Sequence, residues 1–170
     1  MRSEDAVKTI SELKKILDEN SGCSQSDVKT CLVVKNWRPN LIACVSMILT
    51  KNSDNLPFLW LSIESGNWVS PQLCIAAFLI DQNFEENALI TLSKDIDDKT
   101  RISLSVIMMS CFSGALSTDD IARYQYSIKS NLDNVGRIMS SWLERINNII
   151  GLERFDDIES INVFLKSNNY

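Results

Sequence analysis

Histidine is missing from this 170-residue chain. Its absence removes Ser-His-Asp and Cys-His nucleophilic sites, HExxH zinc sites and imidazole general bases together. Glycine and proline are scarce, with five and three residues. No GxGxxG, GxxxxGK[ST] or GxSxG occurs, and Gly22, Gly66, Gly114, Gly136 and Gly151 stand singly, so no phosphate cradle can be assembled in sequence. Cysteine occurs at 23, 31, 44, 74 and 111 without a CxxC pair and with one residue left over. That usage fits a reducing compartment, with thiols buried as small apolar groups, because a reactive cysteine needs a base nearby. Long apolar runs are also lacking. Leu41 to Leu49 and Leu73 to Ile80 reach about half of the roughly 18 to 20 residues a membrane span requires, so they read as core helices. The start, Met1-Arg2-Ser3-Glu4-Asp5, turns acidic at once, the opposite of a secretory signal, and points to a cytoplasmic protein.

Positive charge is in deficit. A net charge of −5 and a pI of about 4.8 disfavour nucleic acid and anionic membranes as ligands and favour a basic protein. Apolar residues make up 45% of the chain and charged residues 23%, the balance of a globular protein. One domain of this size buries roughly 70% of its unfolded surface, enough for a core without staples.

Apolar periodicity supplies the organisation. Residues 4–19 carry Val7, Ile10, Leu13, Ile16 and Leu17 at spacings of three and four, an amphipathic helix with Ser3 as its N-cap. Asn20 to Ser26 breaks the pattern as a linker, and 27–35 is a short apolar element of open type. Asn36-Trp37-Arg38-Pro39-Asn40-Leu41 and Asn67-Trp68-Val69-Ser70-Pro71-Gln72-Leu73 then share Asn-Trp followed by Pro-polar-Leu, with Pro39 and Pro71 separated by 32 residues. Each proline falls in a first helical turn, where its missing N–H is tolerated, and each precedes a long apolar run. A third run, Ile102 to Phe112, lies 31 residues on when Leu104 is aligned with Leu73, and Gly114 closes it. More one-sided segments, 55–65 and 83–94, lie between these runs as outer partners of helix pairs. A period of roughly 30 to 45 residues built from two helices is the mark of an α-solenoid. Farther on, Ser117-Thr118-Asp119-Asp120 starts a helix to Ile128, Asn131 to Ile150 forms another, and a last one runs from Asp156, with Glu159 placed for a capping box, to about Lys166 before a polar tail.

Phe58 to Ile63 and Ile102 to Val106 are rich enough in aromatic and β-branched residues to be strands. Five glycines are too few for the turns such strands need. The expected fold is therefore all-α, antiparallel helix pairs in a short array within one domain, 1–170: an N-terminal helix and linker over 1–25, repeats over 36–114 and C-terminal helices over 115–166.

Carboxylates are the chemistry that remains. Asp95, Asp97 and Asp98 are the densest group, with Glu85-Glu86, Asp119-Asp120 and Asp156-Asp157 as further pairs. One reading is a divalent-metal or acid/base site. The other is helix starts, where carboxylates accept from free N–H groups and oppose the helix dipole. Asp97-Asp98 directly precede a predicted helix and no DxDxDG pattern follows, which favours capping over metal. Trp37 and Trp68 occupy matching places before their helices, where a large apolar side chain packs on the next turn as a staple. Arg38, at a helix entrance, is placed to bridge carboxylates between repeats or to reach a partner.

Residues 36–43, Asn-Trp-Arg-Pro-Asn-Leu-Ile-Ala, then Leu59-Trp60, then Glu64-Ser65-Gly66-Asn67-Trp68-Val69-Ser70-Pro71-Gln72-Leu73, resemble HEAT-like helical-repeat proteins that bacteria encode beside secreted toxins, in particular immunity proteins of contact-dependent inhibition systems. The likeness covers residues 36–93. It implies a cytoplasmic protein, not an enzyme and with no cofactor or metal, that binds its cognate toxin domain and covers the active site. An acidic inhibitor suits a basic nuclease toxin through complementary charge. Negative charge near helix ends nominates Glu64, Glu85, Glu86, Asp95, Asp97 and Asp98 as partner-binding residues. A helical-repeat scaffold or adaptor without a toxin partner is the alternative, and a carboxylate- or metal-dependent enzyme a more remote one.

Overall fold

The computed structural model describes residues 3–19, 25–150 and 155–168. Within them the chain forms helices α1 (Ser3–Glu19), α2 (Gln25–Val33), α3 (Trp37–Thr50), α4 (Leu56–Glu64), α5 (Ser70–Ile80), α6 (Phe84–Leu92), α7 (Asp98–Cys111), α8 (Thr118–Ile150) and α9 (Phe155–Ser167), with a 3₁₀ turn at Ser113–Ala115. No strand occurs among the described residues, and the fold is all-α. The segments with strand character, 58–63 and 102–106, lie inside α4 and α7. Their β-branched and aromatic residues reflect burial on several sides, and packing overrides their intrinsic preference. The element of open type is mostly α2; the centre of the preceding linker, 20–24, lies outside the described residues, as do Gly151 and the last two tail residues.

Local signals explain where the helices start. Asn36 Oδ1 accepts from the Arg38 N–H at 3.1 Å and starts α3. Before α5, Asn67 Oδ1 accepts from the Val69 N–H at 3.4 Å while its own N–H donates to Ser70 Oγ at 3.0 Å. Asp97 Oδ1 starts α7 by accepting from the N–H groups of Lys99 and Thr100 at 2.9 and 3.2 Å. These three acceptors are separated by 31 and 30 residues, so the repeat seen in the apolar runs is also a repeat of entrances. A second device recurs four residues after the first and third of them. The Asn40 amide donates to the carbonyls of Cys31, Leu32 and Val34, at 2.6, 3.2 and 3.2 Å, closing the end of α2. Arg101 does the same for α6, donating to Leu92 O and Lys94 O, each at 3.2 Å. Both satisfy carbonyls that a helix end leaves without intrahelical partners.

The pairs α2–α3, α4–α5 and α6–α7 pack so that α3, α5 and α7 lie side by side. Helices α2, α4 and α6 cover one side of that inner row; α8 crosses its other side against α7 and α5, and α1 packs on α3 and α8. Being covered twice, α5 buries eight of its eleven residues and is apolar around its circumference. One apolar core runs from Leu32 to Leu165 and includes Met47, Leu59, Phe78, Leu104, Met139 and Ile161. Phe84 binds its layers, with ring centroids 5.7 Å from Trp60, 5.4 Å from Phe78 and 5.9 Å from Phe112.

The C-terminal third departs from expectation. Two helices with a break at residues 129–130 are replaced by α8, one helix of 33 residues and about 50 Å. Its start is as expected: Ser117 Oγ accepts from the Asp120 N–H at 3.1 Å and donates to the Asp120 carboxylate. Nothing at Lys129 or Ser130 breaks a helix, and Tyr124, Ile128, Leu132, Val135, Met139, Leu143 and Ile146 form one uninterrupted buried stripe.

Candidate functional site

The six nominated carboxylates separate into two groups. Glu85 and Glu86 lie in the first turn of α6, whereas Glu64, Asp95, Asp97 and Asp98 gather where α4 and α6 end and α7 begins. The length of α6 separates them, about 12 Å at 1.5 Å per residue. In the second group, Glu64 Oε1 pairs with Lys94 Nζ at 2.6 Å. Asp97 is a structural cap: besides its two backbone bonds it accepts from the Thr100 hydroxyl, and that hydroxyl lies 3.4 Å from Ile63 O. Gly66 is the reason the carboxylate fits. Its φ of +72° is left-handed backbone, and a Cβ there would meet Asp97 Oδ2 at 3.0 Å. Asp95 and Asp98 are exposed and make no ion pair among the described residues. No three Cys, Asp or Glu side chains among the described residues are grouped to hold a metal ion.

Trp37 and Trp68 overturn the staple expectation. Trp37 is 42% exposed and Trp68 79%, so neither indole is core. Each carries a cation on its ring instead: the Arg38 guanidinium lies 4.4 Å from the Trp37 centroid and Lys99 Nζ 4.5 Å from that of Trp68. Arg38 makes no ion pair with a carboxylate among the described residues. Trp60 is the buried tryptophan, its indole N–H donating to Asp81 Oδ2 at 2.7 Å. Asp81, itself buried, also accepts from the Asn87 amide and the Asn83 N–H, each at 2.9 Å, so neutral donors satisfy a buried carboxylate.

A groove of about 250 Å³ is lined by residues that neighbour the two exposed tryptophans in the chain, Lys35 and Asn67 among them, while neither indole lines it. Val33 and Val34 at the end of α2, Phe58 and Leu61 on α4, and Gly66–Asn67 form its walls. The Asn67 amide donates to Asn40 Oδ1 at its base, joining the entrances of α3 and α5. Val33, Val34 and Leu61 are exposed, which makes the rim apolar, and Lys29 Nζ lies 4.4 Å from the Phe58 ring centroid. Sequence reading missed Val33, Val34 and Leu61 because they fall within or beside apolar runs that read as core. The available signal was the Asn-Trp dipeptide: a residue immediately after a capping acceptor lies in a first turn with few helical neighbours, which leaves a large side chain free to face water.

Cys44 and Cys74 are fully buried and Cys31 and Cys111 half-buried, while Cys23 lies outside the described residues. Burial pushes the Cys44 and Cys74 thiols well above the ordinary thiol range, with the Asp97 charge adding to the effect at Cys74. They are inert packing groups. No helix among the described residues is long and apolar enough to cross a membrane. Comparison with protein-family models, curated proteins and solved structures finds no match to this chain.

Proposed function

We propose that this protein binds another protein, and that its partner is a basic toxin domain which it neutralises as an immunity protein. The observation that carries the reading is Trp68, an indole 79% exposed, which follows directly on the Gly66–Asn67 wall of an apolar groove in the chain. Large exposed aromatics with an apolar surround are the usual anchors of protein interfaces. Charge selects the class of partner. Around Trp68 stand the carboxylates of Glu64, Asp95, Asp97 and Asp98 against the cations Lys94, Lys99 and Arg101. Lys94 is engaged with Glu64, Arg101 with backbone carbonyls and Lys99 with the Trp68 ring, and four carboxylates against three cations leave this group acidic, with Asp95 and Asp98 exposed. Together with the −5 net charge, this favours a basic domain.

Three helix pairs with equivalent entrances support a HEAT-like reading of residues 25–111. Helix α8 crosses one side of the inner row, where an open array would present a groove, which favours the entrances of α3 and α5 as the binding face.

The test compares tagged wild-type protein with Trp68→Ala and with Asp95→Asn/Asp98→Asn in capture from native cells at moderate salt. Growth assays of the captured partner, expressed with and without this chain, follow. One stoichiometric basic partner is expected, held at least about 30-fold less tightly by Trp68→Ala, slower to associate with the aspartate variant at low salt, and toxic unless co-expressed. Equal retention by wild type and both variants removes this face from the interface. A harmless partner defeats the immunity role and leaves protein binding standing.

A further inference from the structure

A second site lies where the first turns of α5 meet the middle of α8. There Gln72 faces Asn134, Arg137, Ser141, Trp142 and Arg145 across a cleft of about 350 Å³, within the size range of small-molecule pockets. The α8 residues recur at steps of three and four, so one stripe of the helix supplies them all. Two polar atoms of residues that line the cleft, Gln72 Oε1 and Trp142 Nε1, are buried and have no hydrogen-bond partner among the described residues. Leaving such atoms unpaired is costly, and native proteins almost always supply a partner from protein, water or ligand.

We propose that this cleft binds a small oxyanion, the phosphate or carboxylate group of a small molecule. The donor set decides the chemistry. An indole N–H and two guanidinium groups can only donate, and no carboxylate among the described residues lines the cleft. Arg137 spends its Nε on Asp133 O at 3.3 Å, which leaves both terminal nitrogens available. The Arg145 guanidinium makes no hydrogen bond or ion pair among the described residues. An arginine pair without an ion-pair partner among the described residues, in a chain of net charge −5, is a local reversal of sign that draws an anion. Guanidinium groups meet phosphate and carboxylate oxygens with paired donors. Gln72 completes the set, since its amide accepts from a protonated phosphate oxygen or ligand hydroxyl, or turns to donate. A polyanion such as nucleic acid fits poorly, because the basic groups form one cleft and not a track. This site does not rest on the protein-binding reading: Leu61, on α4, belongs to the opposite side of the inner row.

The test is a ¹H–¹⁵N NMR titration of the full chain that follows the Trp142 indole N–H, assigned by its loss in Trp142→Phe. Inorganic phosphate and succinate are the probes, at constant ionic strength held with sodium chloride. A saturable shift of the Trp142 signal, with those of Trp37, Trp60 and Trp68 unmoved, is expected from at least one probe. Phosphate alone identifies a phosphate site, succinate alone a carboxylate site, and either supports the proposal. Arg137→Gln/Arg145→Gln should weaken the response at least tenfold, as should Ser141→Asp, which sets a carboxylate in the cleft. No saturable shift with either probe, or a shift that survives both variants, overturns it.

Discussion

Replacing Asp97 with alanine tests whether the acid cluster at the start of α7 is architecture or binding surface. Three interactions vanish together: acceptance from Lys99 N at 2.9 Å, from Thr100 N at 3.2 Å and from the Thr100 hydroxyl. Loss of an N-cap acceptor costs about 1 kcal/mol, up to about 2 in a folded protein. The hydroxyl adds on the order of 1 kcal/mol, because Thr100 is fully buried and keeps only Ile63 O at 3.4 Å. Asp97→Ala should therefore cost about 2 to 3 kcal/mol, and for a chain of this length each kcal/mol lowers Tm by about 2 to 4 °C. Its neighbour is the control. Asp98 makes no side-chain cap and contributes only through the helix dipole, so Asp98→Ala should stay within about 0.5 kcal/mol. Asp97→Asn keeps an acceptor at the cap and should fall between the two. Urea midpoints and thermal melts at neutral pH measure all three. Equal effects of Asp97→Ala and Asp98→Ala, or an Asn variant as unstable as the Ala variant, refute the capping argument.

Gly66→Ala should destabilise by about 1 to 2 kcal/mol from its φ of +72° alone; in a double-mutant cycle with Asp97→Ala the two should be non-additive, since the new methyl meets Asp97 Oδ2 at 3.0 Å, and additive urea midpoints would exclude that contact. Trp60→Phe removes the indole donor from buried Asp81 while keeping an aromatic ring, and should cost about 1.5 to 3 kcal/mol; a neutral result in urea denaturation would show the carboxylate to be solvated by other means. Burial keeps the Cys44 and Cys74 thiols protonated in the folded protein, whereas the unfolded chain ionises them near the ordinary value of 9.0. Stability from this source is intact below that pH and falls above it by up to about 1.4 kcal/mol per pH unit for each thiol. Cys44→Ala/Cys74→Ala should flatten the alkaline slope, and an unchanged slope would refute the assignment.

Periodicity carried most of the fold into the sequence, because each inner helix announces itself by an apolar run with an acceptor or proline at its entrance. Pro39, Pro71 and Asp97 mark α3, α5 and α7 in this way. The join in α8 was harder to read. Lys129-Ser130-Asn131 is polar, and polar residues on the outer face of a helix look locally like those of a linker; only the buried stripe on either side of them, from Ile128 to Leu132, shows continuity. Asp97 was legible as a cap from its place before the helix, but its bond to Thr100 and its fit against Gly66 depend on two loops meeting, and pattern does not report that. The tryptophans were misread for a related reason. A staple and an exposed first-turn indole have the same sequence, and the difference lies in whether a neighbouring element covers the ring.

That difference bears on where a partner can sit. In an array of helix pairs the inner row has two faces, one covered by the outer helices and one free. Here α8 takes the free face, and its Tyr124, Ile128, Leu132, Val135, Met139 and Leu143 are buried there. This chain leaves Trp68 uncovered at one end of the row, with Val33, Val34 and Leu61 beside a groove that Asn40 and Asn67 hold open. Arg38 and Lys99 lie on the indole faces without burying them, and cations so placed are displaced at far smaller cost than a packed helix. Under the protein-binding reading proposed above, these charges shield the surface from self-association while its apolar area stays available to a partner.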